Sequence, residues 1–158
     1  MNTLEIRVIQ TTGKNIKFDF FVDTVQLSKT LGVDRLQDMQ YASFDLDIFE
    51  VDAERFPSYN RLEVIKQALK AFLGMEKPQN QWGSDRIVLY RCHCGCDYCG
   101  VISFAILLTH EYVYWSDLRL EGEHENGEKE IIETLTELKF TRENYENVFN
   151  EFYTLYCL

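Results

Sequence analysis

The segment "GVISFAILL" (residues 100–108) constrains the fold most, because Ser103 is its only polar side chain. A strand that alternates apolar and polar residues is covered on one face, whereas a strand that is apolar throughout must be covered on both. The neighbouring segments "RIVLYRCH" (86–93) and "EYVYWSDLRL" (111–120) also have strand-like sequences. We therefore expect three successive antiparallel strands, with residues 101–108 in the centre.

The first half of the chain predicts a β-hairpin followed by a short helix and a further strand. Residues 4–10 and 16–22 alternate apolar and polar side chains, and "TTGKN" between them is a turn sequence. Residues 24–31 are expected to form a short helix that ends at Gly32. In "FDLDIFEVD" (44–52), acids alternate with apolar residues, which predicts a half-buried strand with its acids in solvent.

Two amphipathic helices are predicted, at about residues 60–73 and 142–156. Asn60 and Thr141 are suitable N-caps, and each precedes apolar residues at helical spacing. Residues 131–140, "IIETLTELKF", are compatible with either a helix or a strand. Strands and helices segregate along the chain, so we expect an α+β fold: a mostly antiparallel β-sheet with the two helices packed on it, in a single domain spanning residues 1–158.

The acidic charge of the chain limits its partners. The net charge is −10, and residues 80–158 hold fourteen acidic and six basic side chains, a net charge of −8. Such a field repels phosphate backbones, so we expect no direct binding to nucleic acid, whereas it attracts basic proteins. We see no membrane span and no secretory signal, which favours a reducing cytoplasm in which cysteines stay as thiols or bind metal.

Four of the five cysteines, Cys92, Cys94, Cys96 and Cys99, lie in "YRCHCGCDYCG" (90–100). A structural zinc site needs four tetrahedral ligands, usually from two C-x2-C pairs, and only Cys96 and Cys99 have that spacing. Cys92 and Cys94 are expected on one face of a strand. A redox C-x2-C motif needs a helix after its first cysteine, whereas a strand follows here. We therefore expect a hairpin turn packed with small thiols, with a zinc site or a thiol-redox couple at these four cysteines as the alternative.

No sequence motif indicates catalysis. The chain has no glycine-rich phosphate loop, no G-x-S-x-G and no H-E-x-x-H motif. The three histidines, His93, His110 and His124, are scattered, and His93 is expected to face away from the neighbouring cysteines. We predict a protein that is not an enzyme and has no resident cofactor, unless zinc binds the cysteines.

The second half of the chain, about residues 87–155, resembles a group of small bacterial proteins. Their pattern is C-G-C, two residues, C-G, a strand, a V-x-W-x-D-like strand, and a phenylalanine followed by a helix with a tyrosine in its first turn. The resemblance implies a shared fold and no assigned activity. The matching residues are Cys94, Gly95, Cys96, Cys99, Gly100, Val113, Trp115, Asp117, Phe140 and Tyr145.

In size and charge the chain also resembles bacterial immunity proteins, including those that protect cells from contact-dependent inhibition toxins. The resemblance implies an antitoxin that occludes the active site of a basic protein toxin, such as a nuclease, encoded by an adjacent gene. Acids would accelerate the encounter and aromatic residues would hold the complex. The candidate contact residues are Glu121, Glu123, Glu125, Glu128, Glu130, Asp45, Asp47, Asp52, Tyr112 and Tyr114.

Overall fold

The computed structural model describes residues 1–33, 45–92, 94–121 and 137–158. Within these residues the chain forms two antiparallel sheets and three helices, with 37% strand and 27% helix, which confirms the α+β fold class. The first sheet has the order β1-β2-β3 and contains the predicted hairpin. Its strands are β1 (Leu4–Thr12), β2 (Asn15–Val22) and the two-residue β3 (Val25–Gln26).

The second sheet contains the three predicted strands of the second half. They are β4 (Ile87–Arg91), β5 (Val101–Leu108) and β6 (Tyr112–Glu121), and β7 (Glu137–Thr141) completes the order β4-β5-β6-β7. The first four residues of β5 are buried, as expected for a strand covered on both faces. Leu107, near the end of β5, is 57% exposed, so the strand is not covered on both faces along its whole length.

Both long helices are confirmed. Helix α2 (Arg61–Phe72) begins after Asn60, whose side chain accepts the N–H groups of the first turn, and α3 (Arg142–Tyr156) begins after Thr141 in the same way. Within the described residues, no helix is both long enough and apolar enough to cross a membrane.

Two predictions in the first half are wrong in part. Residues 25–26 pair with β2 as a strand, and only Leu27–Thr30 form the helix α1. The strand expected at residues 44–52 is reduced to one bridge between Ile48 and Ile16, and Phe44 lies outside the described residues. Side-chain hydrogen bonds to the backbone take the place of strand pairing here: Asp47 accepts the Phe18 N–H, and Asn15 accepts the Glu50 N–H.

Trp115 on β6 lies at the centre of the buried core. Its ring stacks on Phe104 of β5 with 4.3 Å between the centroids, and it contacts the edge of Phe20 of β2 at 5.6 Å. Its Nε1 donates to the Tyr145 hydroxyl at 3.2 Å, and that hydroxyl donates to the carbonyl of Phe72 at 2.9 Å. Trp115 therefore joins both sheets, α2 and α3 in one apolar cluster.

The beginning of the chain is bound to its last quarter. Asn2 N–H donates to the carbonyl of Lys139 at 2.7 Å, and the Asn2 side chain accepts the Lys139 N–H. Leu4 N–H donates to Oδ1 of Asn144 on α3 at 2.9 Å. These bonds hold the first sheet beside β7 and α3.

Candidate metal centre

The segment between β4 and β5, residues 92–100, folds back on itself; we call it the cysteine loop. Gly95 has a φ of 77°, in the left-handed region that glycine tolerates best, and its N–H donates to the carbonyl of Cys92 at 2.9 Å. A short 3₁₀ turn, Asp97–Cys99, then returns the chain towards β4. The loop therefore brings its two ends together.

The folded loop collects three sulfur atoms. Cys94 Sγ lies 3.4 Å from Cys92 Sγ and 3.6 Å from Cys99 Sγ, and all three sulfurs are within 4.8 Å of one another. We call these three side chains the thiol cluster. Cys92 is buried, Cys99 is half-buried and Cys94 is exposed. The expectation of a hairpin turn packed with small thiols therefore fits Cys92, whereas Cys94 lies at the surface.

The spacing of the thiol cluster matches that of metal ligands. Zinc–sulfur bonds of about 2.3 Å at a tetrahedral angle place two ligand sulfurs about 3.8 Å apart. Two of the sulfur–sulfur distances here, 3.4 and 3.6 Å, are close to this value. The sequence predicts Cys92 and Cys94 on one face of a strand, which is wrong because β4 ends at Arg91, and the loop doubles back to bring both sulfurs to Cys99.

The surroundings of the cluster favour a thiolate at its exposed member. A hydrogen bond from the Cys96 backbone lowers the pKa of Cys94, and the Cys92 thiol lowers it further. The hydrogen bond between Cys99 and Cys94 raises the pKa of Cys99 to about 12. Cys94 therefore loses its proton more readily than Cys99 does, and a metal ion would displace the thiol protons of its ligands.

Contacts from outside the loop hold it in shape. Asp97 is 1% exposed, and its carboxylate accepts the Gln81 N–H at 2.8 Å and pairs with Arg91 Nε at 2.7 Å. The Gln81 side chain accepts the Asp97 N–H and donates to the carbonyl of Gly95. Gln81, Arg91 and Asp97 form a clamp that fixes the backbone of residues 95–97.

Removing the Gln81 side chain tests whether this clamp positions the cluster. We expect Gln81→Ala to weaken metal binding about tenfold, because groups that orient ligands typically contribute 10- to 100-fold to affinity. The loss of folding stability should be only about 1 kcal/mol, since two exposed or half-exposed hydrogen bonds are removed. Competition with a chromophoric chelator measures the affinity. The exposed Gln79→Ala is the matched control, and equal affinities for the two variants would contradict the positioning role.

The sequence did not indicate the clamp. Asp97 lies between two cysteines and has the pattern of a solvent-exposed loop acid, and Gln81 is sixteen residues away in a polar connection. Of the histidines, His110 lies in the turn at the far end of β5 from the cysteine loop. His93 and His124 lie outside the described residues.

Two of the acids expected on a partner-binding surface point inward. Asp47 is 2% exposed, and its Oδ1 accepts the Phe18 N–H at 2.9 Å. Asp45 Oδ1 lies 2.8 Å from Arg91 Nη1, and burial raises the pKa of Asp45. The prediction of solvent-exposed carboxylates is therefore wrong at Asp47, and at Asp45 the carboxylate is already paired.

Glu121 is the one member of the expected acidic segment that the structure describes. Its side chain is 21% exposed, and Oε1 lies 2.9 Å from Arg119 Nη2 and 3.2 Å from the Nε of the buried Arg86. Glu121 therefore pairs with the buried Arg86 and with the neighbouring Arg119 within the fold. The other four acids of the segment are outside the described residues: Glu123, Glu125, Glu128 and Glu130.

The remaining expected contact residues are at the surface or half-buried. Asp52 is exposed, and its carboxylate accepts backbone N–H groups of its own turn. Tyr112 and Tyr114 are half-buried on β6, and Lys139 Nζ lies 4.0 Å and 5.4 Å from their ring centroids. The lysine covers part of both rings by cation–π contact. Partner binding by these three residues stays a prediction.

No protein-family model, curated protein or solved structure matches the chain. The resemblance to the bacterial cysteine-and-tryptophan pattern and to immunity proteins therefore stays a prediction. Among the described residues, the thiol cluster is the arrangement with the clearest chemistry.

Proposed function

We propose that the chain is a zinc-binding protein whose metal is held by Cys92, Cys94 and Cys99. The observation that supports this most is the convergence of three sulfurs within 4.8 Å, at separations close to those of zinc ligands. The clamp on residues 95–97 supports it further, because a preformed loop lowers the entropic cost of collecting the ligands. Zinc would hold the ends of β4 and β5 together.

The ligand chemistry favours zinc over the common hard cations. Calcium and magnesium are bound by oxygen ligands, whereas thiolates select zinc, copper(I) and iron. Zinc is redox-inert and accepts tetrahedral sulfur ligands without a preferred d-electron geometry. A zinc ion bound to three thiolates keeps the loop closed and protects its sulfurs from oxidation.

Metal analysis of the reduced, purified protein tests the proposal. We expect about one zinc per chain after reconstitution, because the three ligands belong to one site. Chelation should lower the thermal midpoint, and added zinc should restore it, because a metal that binds only the folded state stabilises that state. Failure to retain zinc, combined with loss of two free thiols under mild oxidation, would instead identify a redox couple.

Occlusion of a basic protein toxin stays a prediction from charge. The support for it is the net charge of −10, of which residues 80–158 carry −8. Four of its ten candidate residues lie outside the described chain, and Asp45, Asp47 and Glu121 take part in internal bonds. The geometry of the cysteine loop supports metal binding more directly.

A further inference from the structure

A cavity lies between α2 and β4, apart from the thiol cluster. Its volume is about 140 Å³, and the residues that line it include none of the three thiols. At ~30 Å³ for each water-sized group, it has room for a ligand of about five non-hydrogen atoms. We propose that this cavity binds a small organic cation, an alkylammonium group whose charge lies beside Asp45 and whose hydrocarbon part lies against an apolar wall.

The inner wall of the cavity is apolar. Ala71 and Phe72 of α2 and Ile87 and Val88 of β4 line it, and all four side chains are buried. These side chains have no hydrogen-bonding atoms, so a hydrocarbon chain that replaces water against them is stabilised by the hydrophobic effect. The wall therefore favours a ligand with an apolar part.

The outer part of the cavity is polar and faces solvent. Glu76 and Lys77 line it and are exposed. Glu76 pairs with Lys70 at 3.2 Å, and Lys77 pairs with Asp85 at 3.3 Å. Because each of these charges already has an opposite charge beside it, the outer part does not determine the sign of the charge on a ligand.

The carboxylate of Asp45 does determine this sign. Asp45 and Arg91 both line the cavity, and Asp45 Oδ1 lies 2.8 Å from Arg91 Nη1. The same guanidinium pairs through Nε with Asp97 at 2.7 Å, so one cation serves two carboxylates. The Asp97 carboxylate also accepts the Gln81 N–H and does not line the cavity. The excess negative charge is therefore accessible to a ligand at Asp45.

A second arginine near Asp45 does not cancel this charge. Arg61 Nη2 donates to the carbonyl of Asp45 at 2.9 Å, and its Nε donates to the carbonyl of Asp47 at 2.7 Å. The buried carboxylate of Asp47 offsets the charge of Arg61. Burial raises the pKa of Asp45 in spite of both nearby arginines. A cation in the cavity would stabilise the charged form of this carboxylate.

This combination of an apolar wall and one inner carboxylate favours an organic cation over other ligands. Calcium and magnesium take at least about six oxygen ligands, whereas Asp45 and the exposed Glu76 are the only carboxylates that line the cavity. An anion would be repelled by Asp45, and a neutral hydrocarbon would leave its charge without a further partner. An alkylammonium ion can contact the carboxylate and the apolar wall together.

Butylamine, 1-butanol and butyrate test the proposal with one chain length and three charges. An alkylamine, with a pKa near the ~10.4 of lysine, is cationic at pH 7. In NMR titrations of the full chain, butylamine should bind with a dissociation constant of about 1–10 mM. It should shift the amide signals of Ala68, Ala71 and Val88, which line the cavity.

The other two ligands should bind at least about tenfold more weakly than butylamine, because neither makes a charge-assisted hydrogen bond to Asp45. Equal or tighter binding of 1-butanol or butyrate would overturn the proposal. It would also be overturned if butylamine caused no saturable shift, or shifted only residues away from the cavity.

Two acid-to-amide variants separate Asp45 from the general negative charge of the chain. Asp45→Asn should weaken butylamine binding about tenfold and change 1-butanol binding by less than about twofold. Glu63→Gln removes a 61% exposed acid of α2 and should leave butylamine binding within about twofold of the wild type. Equal losses in the two variants would refute a specific site. If Asp45→Asn does not fold, the comparison of the three ligands in the wild type still decides.

Ala68→Leu tests the place of binding without changing a charge. Ala68 of α2 lines the cavity, and a larger side chain there should fill part of the space. Both butylamine and 1-butanol should then bind at least about tenfold more weakly. Butylamine binding that is unchanged in Ala68→Leu would show that the amine binds elsewhere, which refutes the proposal.

An alkylammonium group occurs in free aliphatic amines and at the end of a lysine side chain. A short blocked peptide with a single lysine distinguishes these sources. Binding of the peptide at least about threefold tighter than butylamine would support a lysine of another protein, and weaker binding would support a free amine. The inference does not depend on the proposed zinc site, so a chain that binds no zinc leaves it intact.

Discussion

Replacing Cys92, Cys94 or Cys99 with serine is expected to weaken zinc binding by about 100-fold or more. Structural zinc sites with four ligands bind with roughly 10–16 kcal/mol, so each ligand contributes about 3 kcal/mol. A serine hydroxyl has nearly the volume of the thiol, but it keeps its proton at neutral pH and is a harder metal ligand than a thiolate. Competition against a chelator of known affinity measures the loss for each variant.

Two cysteines of the same chain serve as matched controls. Cys96→Ser removes the loop cysteine that lies outside the thiol cluster, and Cys157→Ser removes the buried cysteine after α3. Both variants should bind zinc within about threefold of the wild type, since neither sulfur is among the three that lie within 4.8 Å of one another. Equal losses for all five cysteines would show that the measured effect comes from folding and not from coordination.

Trp115→Ala is expected to lower the free energy of unfolding by about 3–5 kcal/mol. The indole is fully buried between Phe104 and Phe20, and its removal leaves a cavity at the point where the two sheets meet. It also leaves the Tyr145 hydroxyl without the Nε1 donor. Urea unfolding followed by circular dichroism measures this loss. It is a large share of the free energy of unfolding of a typical domain, which is roughly 5–15 kcal/mol.

The control for this variant lies on the neighbouring strand. Leu107 of β5 is 57% exposed, and Leu107→Ala should change the free energy of unfolding by less than about 0.5 kcal/mol. Trp115→Phe keeps an aromatic ring in the core. It should lower the free energy of unfolding by about 1–3 kcal/mol, which is more than Leu107→Ala and less than Trp115→Ala. The central role of Trp115 would be disproved if the alanine variants at 107 and 115 had the same unfolding midpoint.

The sheet of the second half could be predicted because its signals are local. Val101, Ile102 and Phe104 are consecutive or nearly consecutive apolar residues with turn sequences on both sides, and the structure buries them in an inner strand. The helix caps Asn60 and Thr141 were recognisable for the same reason, since a cap bonds to N–H groups two or three residues away.

The candidate site could not be predicted because its geometry depends on contacts between distant residues. The C-x-C-x-C-x2-C spacing shows that sulfurs are available, but their convergence depends on the backbone at Gly95 and on the bonds from Gln81 to residues 95–97. The same limit explains the error at Asp47. The Asp47 carboxylate accepts the Phe18 N–H, which is twenty-nine residues away in the sequence. The alternation of acidic and apolar residues within 44–52 does not indicate such a distant partner.

The bonds from Asn2 and Leu4 to Lys139 and Asn144 have a consequence for synthesis on the ribosome. A hairpin at residues 4–22 can pair its own strands early, but its apolar side waits for partners that are translated more than a hundred residues later. At about 5–20 residues per second, Phe18 and Phe20 remain uncovered by α3 for several seconds or longer. The hairpin therefore stays without the aromatic residues that cover Phe18 and Phe20 until α3 has been synthesised.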